Sequence, residues 1–536
     1  MTNANPADLD LAIINGRVLD GTGNPWYWAN VGIRGDRIGF VGRRCDVKAR
    51  RTIDADGMVV CPGFIDVHTH SDIMPLVDPR HSAKVMQGVT TDVIGQDGLS
   101  YAPLTDDTLP YFRTNLKALN GDPEGLAWDW RTVAEYLARF DRRTAVNIAM
   151  LAPHGNIRAA VIGTENRKPS QNELARMKRL TAQAMREGAF GLSTGLTYAP
   201  CSFADQDELI ELCRVVGEYG GYFAPHMRNY GAEMKAAVEE VVDICTRAGL
   251  PLHLTHLHAS FSSGKGKAGY YLDRIERARR GGLEVTADAY PYLAGSTFLA
   301  GLLPSWVHEG GQKNVIRRLI DPETRRKIAH EMDVSGSDGM QKLPAEWDTI
   351  VVSNVGSRKN AGLVGLSIEA ISGRLGKSPF DCFADLLVEE NLDVGCLAFC
   401  GHEENVRQLI RHPAYMAGSD GLLVGTRPHP RAWGTFPKYL ARYVRELGIL
   451  TLADCIRKMT SLPAQRLGLT DRGLIKPGMA ADLVVFDPET VRDTATYENP
   501  KSYPTGIPSV VINGEVVKDD DRQTDALPGR ALKKPR

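Results

Sequence analysis

Two histidines one residue apart, His68 and His70, close the segment Gly63-Phe64-Ile65-Asp66-Val67-His68-Thr69-His70. The apolar run that leads into them predicts a buried strand over residues 59–68, covered on both faces. Side chains alternate along a strand, so His68 and His70 share one face. Neutral imidazole is the commonest protein metal ligand, and two rings on one face can grip one divalent ion. Alone, such a pair reads equally well as polar residues where a core strand meets solvent. It becomes a site only if other strand ends bring further ligands to it.

Those ligands are present. Asp97 stands just past the run Val89-Thr90-Thr91-Asp92-Val93-Ile94-Gly95, and His226 closes Ala224-Pro225-His226. His256 and His258 fall in Thr255-His256-Leu257-His258, and Asp420 in Gly418-Ser419-Asp420-Gly421. His68, His70, Asp97, His226 and His256 make a first shell suited to one or two divalent ions, with Zn2+ the best match to nitrogen and oxygen donors. Asp420, beside that shell, is placed to act as general base, taking a proton from water and returning it to a leaving nitrogen. Arg228, His258, Tyr290, Tyr292 and Ser296 are candidate substrate contacts. His154 reads as a loop residue, and strand parity turns His253 away from the face of His256.

The elements that must position these residues follow from periodicity. The middle of the chain alternates apolar strands with amphipathic helices such as residues 171–187, 206–219 and 234–248. Strands are expected over 59–68, 89–95, 145–152, 189–194, 222–227, 252–258, 283–292 and 415–420. Eight β-then-α units predict an α/β fold, a (β/α)8 TIM-like barrel with its site at the C-terminal strand ends. Both ends of the chain are β-rich, with Asn-Gly turns at Asn15-Gly16 and Asn513-Gly514. They predict a small β-sandwich domain built from residues 1–57 and 467–536, around a barrel domain of residues 58–466. Residues 301–413, between strands seven and eight, are too many for one connection, and an inserted lid-like segment is expected at about 301–360. The charged tail, residues 518–536, is expected to fray.

Composition narrows the classes. Lys+Arg (64) and Asp+Glu (65) nearly cancel, which leaves no basic field for nucleic acid or an anionic membrane. No apolar stretch reaches the roughly 20 residues of a membrane helix, and the polar start resembles no signal peptide. Nine cysteines without a Cys-x-x-Cys pair suit reduced thiols in a cytoplasmic protein. A homo-oligomer stays open.

Phe64-Ile65-Asp66-Val67-His68-Thr69-His70 and the ligand order over strands one, five, six and eight resemble the metal-dependent amidohydrolase superfamily. Gly191-Leu192-Ser193-Thr194-Gly195-Leu196-Thr197-Tyr198, Ala289-Tyr290-Pro291-Tyr292 and His429-Pro430-Arg431-Ala432-Trp433-Gly434-Thr435-Phe436 are similar to the D-aminoacylase (N-acyl-D-amino-acid deacylase) branch. The resemblance spans nearly the whole chain and implies zinc-dependent hydrolysis of amide C–N bonds. Two departures stand out. No lysine lies in Ala189-Phe190-Gly191-Leu192-Ser193, where many binuclear relatives carry a bridging carboxylated lysine, and Gly95-Gln96-Asp97-Gly98 replaces that branch's Gly-Asn-Cys-Gly. Asp97 is therefore expected to bridge, with His68 and His70 on one ion and His226 and His256 on the other. His258 stands where the branch has a lysine thought to meet the substrate carboxylate, so a neutral amide, a cyclic amide or a dipeptide stays open beside an N-acyl-D-amino acid. A dihydropyrimidinase- or hydantoinase-like hydrolase and a catalytically silent binding scaffold are the alternatives.

Overall fold

The computed structural model describes residues 9–43 and 47–535. Among them, eight parallel strand segments alternate with helices through the middle of the chain. They are β1 (Phe64–Asp66), β2 (Val89–Ile94), β3 (Asn147–Met150, continued by Ala152–Pro153), β4 (Gly191–Gly195), β5 (Tyr222–His226), β6 (Leu252–Leu254), β7 (Val285–Ala289) and β8 (Tyr415–Ala417). Each pairs in parallel with its neighbour in this order. Beyond β8 the chain returns to the first strand. Thr69 and Gly421 form a parallel bridge, and the Asp420 N–H donates to the His68 carbonyl at 2.7 Å.

The helices follow local chemistry. Residues 171–187 form one helix as expected, with Ser170 and Glu173 as a reciprocal capping box and Gly188 ending it at φ 124°. Met177, Thr181, Ala184 and Met185 are its buried face. Residues 234–248 likewise form one helix, closed by Gly249 in the left-handed region.

The expected single strand over residues 59–68 is two strands. Val59–Pro62 pairs antiparallel with Leu483–Phe486, whereas β1 pairs with β2. Gly63 makes the break: a Cβ there would lie 2.2 Å from Thr90 Oγ1, so only glycine lets the chain change sheets at this point. Strands from both ends of the chain share one nine-stranded sheet that includes Leu9–Val18, Val59–Pro62, Leu483–Phe486 and Ser509–Ile512.

Between β7 and β8 lies a second departure. Gly295–Phe298, Ile350–Val355 and Val394–Ala398 form a three-stranded antiparallel sheet with helices around it, so the inserted structure extends well past the expected 301–360. The tail also differs from expectation. Gly529 packs against backbone at Val146, and the Leu532 N–H donates to the Ile148 carbonyl at 2.7 Å, which docks residues 529–532 of the charged tail on β3. No helix among the described residues is long and apolar enough to cross a membrane.

Candidate active site and metal centre

The C-terminal ends of the parallel strands bring the expected ligands together. His68 and His70 follow β1, Asp97 follows β2, His226 ends β5, His256 follows β6 and Asp420 follows β8. Three of these residues have positive φ, Asp97 at 54°, His256 at 31° and Asp420 at 48°. A left-handed backbone is uncommon for these side chains and concentrates where a site dictates geometry.

Asp97 sits between two groups. His68 Nε2 lies 3.7 Å and His256 Nε2 3.5 Å from its Oδ1, while His70 Nε2 and His226 Nδ1 each lie 3.5 Å from its Oδ2. Asp420 Oδ1 is 3.2 Å from His70 Nε2 and 3.6 Å from His68 Nε2. The donor atoms of His68, His70, Asp97 and Asp420 lie within 4.8 Å of one another, as do those of Asp97, His226 and His256. His226 Nδ1 and His256 Nε2 face each other at 3.0 Å. Both ring nitrogens of His68 and Asp97 Oδ1 are buried without a hydrogen-bond partner among the described residues. Buried polar atoms are normally paired. Converging, unpaired nitrogen and carboxylate donors fit a divalent cation, and this set can hold one or two.

The surroundings fix the rings. Asp288, fully buried on β7, approaches His68 Nδ1 at 3.5 Å, bonds His253 Nε2 at 2.9 Å and accepts the His256 N–H at 3.0 Å. A carboxylate behind a ligating histidine sets its tautomer and raises its basicity. Thr197 Oγ1 holds His226 Nε2 at 2.8 Å, which leaves Nδ1 for the cluster. Gly418 makes room for this packing, since a Cβ there would lie 2.7 Å from Asp288 Oδ1. Under the first strand, the buried Lys84 ammonium bonds Asp66 and, at 2.9 Å, Ser419 Oγ, while Asp66 Oδ1 accepts the Ser419 N–H at 2.8 Å. The strand that presents His68 and the loop that presents Asp420 are thereby tied to one ion pair.

Electrostatics follow from burial and charge. Burial opposes ionisation of Asp97, but the facing His256 and His226 outweigh it and hold the carboxyl well below the usual range. Burial likewise opposes ionisation of Asp420, and Arg431, then His70, overcome it. For His70, burial disfavours the cation, yet hydrogen bonds to Asp420 and Asp97 push it up to about 10. The cluster thus favours positive charge at its centre. Burial, with His256 and Arg431 nearby, pulls His258 down to about 3, so its ring is neutral.

The five candidate substrate contacts separate. His258, Tyr290 and Ser296 line the cavity that opens on His70, Asp97, His226, His256 and Asp420. Arg228 does not; its guanidinium forks onto Glu240 at 2.9 Å and onto the Ser202 and Ala204 carbonyls, 3.1 Å each. Tyr292 is also off the cavity, packed against His429 with the Lys438 ammonium 3.8 Å over its ring. His154 is no loop residue: it opens a buried helix, bonded to Thr194 and Glu208 at 2.8 Å each.

Arg431 escaped notice in the sequence. It is fully buried, its Nη2 is 2.9 Å from Asp420 Oδ2, and its guanidinium lies 4.4 Å over Tyr290. Its place in His429-Pro430-Arg431 was the available signal. Asp288 carries no such signal, because it stands behind the candidate ligands, inside β7, where it meets His253, the histidine that strand parity turns away from the face of His256.

A buried His/Asp cluster at the C-terminal ends of a parallel α/β sheet defines a metal-centred enzyme fold. The chain belongs to the amidohydrolase family, whose profile matches residues 51–518, and within it to the D-aminoacylase branch. It is 35% identical to D-aminoacylase of Alcaligenes xylosoxydans xylosoxydans over 99% of both chains. It is 36% identical to N-acyl-D-glutamate deacylase of the same organism, over 98% of this chain and 97% of the relative. A solved N-acyl-D-glutamate deacylase from Bordetella bronchiseptica superposes with a TM-score of 0.84, at 33% identity over 98% of this chain and 100% of that one. That structure holds zinc and a phosphonate inhibitor that mimics the tetrahedral intermediate of the reaction.

Proposed function

We propose that the chain hydrolyses the amide C–N bond of an N-acyl amine, an N-acyl-D-amino acid or a related amide, with Zn2+ held by His68, His70, Asp97, His226 and His256. The observation that carries this reading is the convergence of all four imidazoles on Asp97, at 3.5 to 3.7 Å. The zinc and the intermediate mimic in the B. bronchiseptica enzyme support both the metal and the reaction. We read the eight parallel strands as a (β/α)8 barrel and the sheet shared by the two ends of the chain as a separate small domain. The described cysteines, all unpaired, favour a reducing compartment such as the cytoplasm.

A bound divalent ion would polarise the acyl carbonyl and bring the pKa of water to about 7. Asp420, kept ionised by Arg431, accepts the proton of the attacking water at Oδ1, the oxygen that faces His70 and His68. It then delivers that proton to the departing nitrogen, which leaves as a neutral amine. His258, Tyr290 and Ser296 orient the amine half of the substrate. Cleavage is tested by acyl release from a panel of N-acetyl-D- and L-amino acids and their amides, with chelator and after zinc is restored. Chelator-sensitive release that returns with zinc is expected. Release indifferent to chelation would contradict the reading.

A further inference from the structure

The structure inserted between β7 and β8 contributes a polar side chain to the cavity. Gln341 lines it and is buried. Its Oε1 accepts the Tyr230 N–H at 2.7 Å, and its carbonyl accepts the Ala232 N–H at 3.2 Å. Gly231 lets the two segments meet, since a Cβ there would lie 2.8 Å from Gln341 Cβ. Gln341 and Lys342 have φ of 60° and 59°, and two successive side chains take this left-handed backbone only where their surroundings hold it. A backbone N–H can only donate, so the atom it meets on Gln341 is the amide oxygen and the NH2 is the free end. Nε2 has no hydrogen-bond partner among the described residues.

The cavity has two sides. His258, Tyr290 and Asp420 follow β6, β7 and β8, whereas Leu99, Tyr198 and Tyr230 follow β2, β4 and β5, with Gln341 bonded to the last of these loops. The amine half of the substrate lies against His258, Tyr290 and Ser296 in the reading above, which leaves the acyl half to the side of Gln341. Thr197 and Tyr198 on that side spend their hydroxyls on His226 Nε2 and Thr297 Oγ1, at 2.8 and 2.9 Å. An alkyl acyl group seated there would strip water from the Gln341 NH2 and return no partner, which is unfavourable for a buried donor. An ether or hydroxyl oxygen just beyond the acyl carbonyl would accept from it.

We propose that Gln341 is a substrate-binding residue that selects acyl groups carrying a hydrogen-bond acceptor beyond the carbonyl. This rests on the hydrolase reading above and names the acyl class of its substrate. The test uses the zinc-loaded enzyme with the N-methoxyacetyl and N-butyryl derivatives of the amino acid that the panel above favours. The two acyl groups have equal length and differ by an oxygen in place of a methylene. Their ratio of kcat/KM, methoxyacetyl over butyryl, is measured in wild type, Gln341→Met and Gln341→Glu. The intrinsic reactivity of each amide is the same in every variant and cancels when the ratios are compared. The ratio is expected to fall about three- to tenfold in both variants, the order of one neutral hydrogen bond. Gln341→Glu keeps an acceptor for the Tyr230 N–H and removes the donor, so it reads the contact even if Gln341→Met does not fold. A residue that only held the loop would slow both substrates alike. An unchanged ratio in either folded variant, or a wild-type preference for the butyryl substrate, overturns the inference and leaves the hydrolase reading standing. Absence of hydrolysis of both substrates and of the whole N-acetyl panel would remove both.

Discussion

Asp420 divides its two oxygens between different neighbours: Oδ2 meets Arg431 Nη2 at 2.9 Å, and Oδ1 meets His70 Nε2 at 3.2 Å. One oxygen is anchored and the other faces the cluster. A general base needs this division, because a carboxylate held on both sides cannot turn toward water and a free one does not keep its aim. Asp420→Asn should therefore keep its fold and its metal and lose turnover by about 100-fold or more. Metal analysis beside kcat checks this; near-normal turnover would remove the assignment.

Arg431 acts through Asp420 and is a positioning residue. Arg431→Met removes the anchor and leaves a buried carboxylate with less compensation, so kcat should fall. Arg431→Lys should restore part of the loss, since it keeps the charge without the planar fork. Equal kcat in both variants and wild type would contradict the role.

Asp288 stands behind His68 and also holds His253 and the His256 backbone. Its removal leaves the ligand set intact and frees the rings to turn. Asp288→Ala is expected to weaken zinc binding about 10- to 100-fold. Competition with a chromophoric chelator measures this, and an affinity within about twofold of wild type would count against the support role.

Much of the candidate site was legible in the sequence, because strand-end placement requires only period-two alternation and a count of strands. His68, His70, Asp97, His226, His256 and Asp420 all meet where that reasoning puts them. Contacts that cross between elements were not legible. Arg228 follows His226 in the chain, but its charge is taken by Glu240 on the next helix, and no local pattern announces that pair. His253 does point away from the face of His256, as parity requires, and there it finds Asp288 on the neighbouring strand. The break at Gly63 depends on Thr90 of another strand, and the docking of the tail on β3 depends on backbone groups at Val146 and Ile148. Charge in the tail pointed to solvent; backbone pairing decided otherwise.

Lys458 gives a pH signature outside the site. Its ammonium is buried and donates to the His412 and Tyr415 carbonyls at the start of β8, and burial lowers it to about 8. The folded chain then releases this proton near pH 8, whereas the unfolded chain keeps it up to the ordinary lysine value. Between those limits the unfolded state binds more protons, so stability rises with pH; below about pH 8 both states are protonated and the cost is constant. Lys458→Met lacks this contribution. Urea unfolding of both proteins at about pH 7.5 and about pH 10 should show wild type gaining on the variant as pH rises. A difference that stays flat or shrinks would contradict it.

Asp97 belongs to both groups of donors, and its substitution is the sharpest test of the site. Metal content should be measured on zinc-loaded, dialysed wild type and Asp97→Ala. Wild type is expected to retain one or two ions per chain and the variant to lose at least half of the bound metal together with activity, while its circular dichroism is unchanged. Full metal occupancy in Asp97→Ala would show that the four imidazoles hold their ions without it, and the shared-carboxylate centre would be wrong.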